Sequence, residues 1–67
     1  MMNYLDVLHH LRDSQAVIYT GNAEADCDLI LDELKEQKEI GMIDAEFYQQ
    51  AFRAVMVRRA EIKKKST

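Results

Sequence analysis

The first chemistry to weigh is metal binding, because His9, His10 and Cys27 are the only imidazoles and the only thiol in the chain. Adjacent residues on a helix point about 100° apart, so His9 and His10 cannot close on one ion as residues at i and i+4 do. A tetrahedral site also asks for more nitrogen and sulfur ligands than these three supply. We expect no metal and no cofactor. One histidine should border the core, the other should face solvent, and Cys27 should be a small buried hydrophobe.

Carboxylates come second. Glu24, Asp28, Asp32 and Glu36 recur every fourth residue and would form an acidic face along a helix. Paired acids such as Asp28 and Asp32 work as general acid and base only where a pocket pushes their pKa values apart. A helical chain of 67 residues has little volume for such a pocket. No glycine-rich phosphate loop and no nucleophile beside a base is evident. The acids read as a solvated face, or as negative charge presented to a basic partner in the manner of a nucleic-acid mimic.

Residues 1–50 hold eleven Asp/Glu against three Lys/Arg, a balance of −8, whereas residues 51–67 hold six Lys/Arg against one Glu, a balance of +5. The basic set is Arg53, Arg58, Arg59, Lys63, Lys64 and Lys65. Phosphate contact needs only Lys and Arg, which makes Arg58, Arg59, Lys63, Lys64 and Lys65 candidates for it. Part of the cluster is ordinary, since positive charge suits a helix C-terminus. The acidic body would repel DNA, and no recognition-helix arrangement is evident.

These groups must sit on helices. Proline is absent, and the only glycines, Gly21 and Gly41, divide the chain into three blocks. The spacing predicts an all-α fold of one small domain, with helices at about 4–18, 23–40 and 45–62 and a disordered polar tail at 63–67. Asn3 can cap the first helix. Residues 16–20 are rich in β-branched and aromatic side chains. A helix fraying near Ile18 is the preferred reading; the other is a short strand, which would need a second chain to pair with.

The best-marked junction is Gly41-Met42-Ile43-Asp44. Gly41 stands where a helix C-terminus takes positive φ, and Asp44 can cap the next helix. Ile43 and Tyr48 are spaced for a hydrophobic staple. So tight a connection predicts an antiparallel αα-hairpin, with the first helix packed across it. The third block is apolar around more than half its circumference and so wants two covered surfaces. The first block or a second copy could supply the other contact. Tyr48, Phe52, Val55 and Met56, with Arg59 at the rim, are the interface candidates, being types enriched at contact surfaces.

Leu31, Leu34, Gly41, Met42, Ile43, Asp44, Glu46 and Phe47 together resemble the short C-terminal domain (SHOCT) family, a helical hairpin, over residues 31–56. Asp44 stands where that family has a threonine cap, Ala45 where an acid is common, and the lysine usual after the phenylalanine is absent. The resemblance implies self-association or protein contact and no catalytic residues.

The function expected is a non-catalytic protein-interaction or oligomerisation module, an adaptor or inhibitor of a larger protein. Its partner would be a second copy or another protein. The alternative is a DNA-associated regulator using the basic end, and a small enzyme comes last. With no signal peptide, no apolar run long enough for a bilayer and one unpaired cysteine, the chain should be soluble and cytoplasmic.

Overall fold

The computed structural model describes residues 1–65. Three helices make up the fold: α1 Tyr4–Asp13, α2 Ala23–Glu39 and α3 Ala45–Lys65. No strand occurs among the described residues. The architecture is all-α, an antiparallel α2–α3 hairpin with α1 packed against α3.

Each start is built from the residue before it. The Asn3 side chain accepts from the Asp6 N–H at 2.9 Å and Asp6 accepts from the Asn3 N–H at 2.9 Å, a reciprocal capping box. Asn22 accepts from the Ala25 N–H at 3.0 Å, and Asp44 from the Phe47 N–H at 2.7 Å. At the end of α2 the Met42 N–H reaches the Gln37 carbonyl at 2.8 Å and the Gly41 N–H reaches Lys38 at 3.1 Å. That is a Schellman stop, with Gly41 at φ +82°. The junction folds as its residues require.

The first helix is shorter than its apolar pattern predicts. It ends at Asp13, five residues before Ile18, in a second Schellman stop. The Ala16 N–H donates to the Leu11 carbonyl at 2.7 Å and the Gln15 N–H to Arg12 at 3.0 Å. Gln15 takes φ +59°, the left-handed turn usually left to glycine. The Ser14 hydroxyl also draws off the His10 carbonyl at 2.9 Å. Residues 16–20 are therefore neither helix nor strand. They are pinned to α2 where the Thr20 N–H and hydroxyl both donate to the buried Asp26 carboxylate, at 2.7 Å each.

The third helix runs on through Lys65 where an end near residue 62 was expected. Residues 58–65 contain no glycine or proline, and nothing in them stops the helix. Of the expected tail, 63–65 are helical and residues 66 and 67 lie outside the described residues.

Val7 and Leu11 from α1, Cys27, Ile30 and Leu34 from α2, and Ala51 and Val55 from α3 form the sealed core. Ile43 and Tyr48 both pack at its edge, as a staple would place them. Both α2 and α1 pack against α3 and bury Ala51, Ala54 and Val55, while Phe52, Met56 and Val57 stay exposed.

Candidate binding groove

The residues singled out for their chemistry are largely used in holding the fold. His10 Nε2 lies 2.7 Å from Gln37 Oε1, while the Gln37 amide nitrogen donates to Ser14 Oγ and to Glu33 Oε2, both at 3.2 Å. Since Glu33 only accepts, the amide orientation is set and the His10 nitrogen must be the donor. The His10 ring also packs on Phe47, centroids 4.7 Å apart. His9 faces solvent. Among the described residues no three of His, Cys, Asp and Glu gather as a metal-holding group.

Cys27 is fully buried, and burial pushes its thiol up. Tyr4 lies against the same core. Burial, with Cys27 alongside, lifts Tyr4 from the ordinary 10.0 to about 12, although Arg58 pulls the other way. The Arg58 guanidinium sits 5.7 Å from the centre of the Tyr4 ring.

Arg59 bridges the two helices of the hairpin, with Nε 2.8 Å from Asp28 and Nη2 3.1 Å from Glu24. The bond and charge of Asp28, with Glu24 behind it, raise the Arg59 pKa. The upper half of the acidic face is thus joined to one of the basic residues within the chain. Asp32 and Glu36 remain on the exposed surface, as do Lys63 and Lys64 at the end of α3. Lys65 falls outside the residues whose side chains are described.

The predicted interface set separates. Val55 has no exposed surface and belongs to the core, in one cluster with Val7 and Leu11 of α1 and Ile30 and Leu34 of α2. Tyr48 is half-buried, its ring 5.9 Å from that of Phe52 and 5.1 Å from the Lys38 ammonium. Phe52 and Met56 are exposed at 40% and 41%, on the flank of α3 beside α2.

A concavity lies on the opposite flank. An open groove of about 830 Å³ lies between the start of α1 and the outer side of α3. Met2 and Leu5 supply one wall, and Ala54 and Val57 the other. Gln50, Arg53, Arg58 and Glu61 form its polar rim. Leu5 is 57% exposed and Val57 56%, so two large apolar side chains stand open to solvent across it. Nothing in the residue types of Leu5, Gln50 and Ala54 marks them as functional in the sequence. The signal present was the run Gln50, Ala54, Val57 and Glu61, spaced along one side of a helix. The groove can bind apolar groups and orient anionic ones; it places no nucleophile against a base.

Together, fold and groove define a small three-helix domain with an apolar cleft edged by arginine. Residues 1–62 match the YqgQ-like family, and the chain belongs to that family. Nothing matches among curated proteins or among solved structures.

Proposed function

We propose that this chain is a non-catalytic protein-binding module, an adaptor or inhibitor that holds its partner in the groove between α1 and α3. The observation that carries the reading is the pairing of Leu5 and Val57, exposed across a cleft whose rim holds Arg53 and Arg58. Apolar anchors inside a polar rim are the usual anatomy of a contact surface. The rim favours a partner that presents apolar side chains in an acidic setting. The likeness of the hairpin to the SHOCT family, which implies protein contact, agrees with this. A buried free thiol suits a reducing compartment, and we place the protein in the cytoplasm.

Three baits test the reading: the native chain, Val57→Asp and Met56→Asp, each immobilised and exposed to extract of the source cells. A protein retained by the native chain and Met56→Asp but lost with Val57→Asp supports the groove. Baits that retain the same proteins overturn it.

A second reading, contact with nucleic acid, is favoured by one observation. Arg53, Lys63 and Lys64 are exposed along α3, and Arg58 stands half-buried beside them. Against it, Arg59 is already engaged by Glu24 and Asp28, and the Arg58 guanidinium lies over the Tyr4 ring, where a base would have to stack. Retention that disappears after nuclease treatment would favour this reading over the first.

A further inference from the structure

We infer that the groove's occupant is a second copy of this chain, entering with the outer face of α2; the inference rests on the groove being a protein-binding surface. That face carries the complementary chemistry. Leu29, Asp32, Glu36 and Ile40 follow one another at helical spacing, opposite the core side held by Cys27, Ile30 and Leu34. Leu29 is 44% exposed and Ile40 67%, two apolar groups with no cover in the monomer, and the exposed acids Asp32 and Glu36 stand between them.

The groove inverts this pattern, with apolar walls and Arg53 and Arg58 at the rim; Glu61 is the one acid there. The lengths agree as well. Leu29 to Ile40 and Gln50 to Glu61 are each eleven residues apart, a rise of roughly 16 Å on a helix. The flank bearing Phe52 and Met56 has no such match, because the nearby Arg59 is already neutralised by Asp28 and Glu24. No residue of α2 lines the groove, so donor face and acceptor groove are different surfaces. Such a contact is heterologous, and it passes from copy to copy unless a ring closes.

Light scattering after size exclusion, from micromolar to millimolar chain, tests this with two variants. Leu29→Asp spoils the face and Val57→Asp spoils the groove, both at exposed positions, with helix content checked by circular dichroism. The native chain should rise in mass past the dimer as concentration grows and fall back in high salt. Each variant alone should stay at monomer mass. Their equal mixture retains one good face and one good groove, and should form a dimer that grows no further. A native monomer at every concentration overturns the inference, as does assembly that either variant leaves intact. So does a monomer whose groove residues respond only to a single-stranded oligonucleotide. A native monomer whose Val57-dependent capture of another protein persists would sink the second-copy inference alone and leave the groove reading standing.

Discussion

Gln37 and His10 meet at 2.7 Å across the contact between α2 and α1, with the Gln37 side chain sealed from solvent. Both ends of this amide are used, the oxygen by His10 and the nitrogen by Ser14 and Glu33. It ties the middle and end of α1 to α2 at the level where α1 stops.

Replacing Gln37 with leucine should therefore cost about 1–3 kcal/mol, the range for stranding buried polar partners. His10→Phe combined with Gln37→Leu should lose less than the two single losses added, since neither partner is then left alone. Urea unfolding of the four proteins measures both.

The two Schellman turns, at Gln15 and Gly41, should respond in opposite directions. Gly41 sits at φ +82° with no atom within 4 Å of an added Cβ, so Gly41→Ala meets only backbone strain. Its expected cost is about 1–2 kcal/mol. Gln15→Gly removes the same strain at φ +59° and should raise stability by about 0.5–1 kcal/mol. Thermal or urea unfolding decides the signs.

Tyr4 predicts an alkaline limit. Its folded pKa is raised from 10.0 to about 12, so between those values the unfolded chain loses a proton that the native chain keeps. The contribution is whole below pH 10 and is lost as pH rises through about 12. Stability should fall across that window in the native chain, and Tyr4→Phe should flatten the decline. Urea midpoints at stepped pH, read by circular dichroism, follow it.

Arg59→Ala should lower the urea midpoint modestly in dilute buffer, and the difference from the native chain should shrink in high salt. Arg59→Lys should recover only part of it, because one ammonium cannot match a guanidinium that engages Glu24 and Asp28 through separate nitrogens.

What could be read in advance was local. Gly41 and Asp44 specify the hairpin because a positive φ and a side-chain cap are properties of single residues in short range. The end of α1 escaped because Gln15 occupies a turn that its type does not advertise, and because Thr20 and Asp26 meet only once the chain has folded. Val55 and Val57 are two residues apart on an apolar helix, and type alone does not say which faces inward. The packing of α1 decides it. Val55 is sealed at 0% exposure and Val57 stands at 56% on the groove. The groove needs two elements to exist, so neither helix's pattern could announce it.

The most direct measurement is the backbone amide spectrum of isotope-labelled protein during titration with a synthetic acidic helical peptide carrying leucines on one face. If the groove binds such a helix, signals of Leu5, Ala54, Val57 and Arg58 move together and Val57→Asp abolishes the movement. Shifts confined to Tyr48, Phe52 and Met56, or none at saturating peptide, would contradict it.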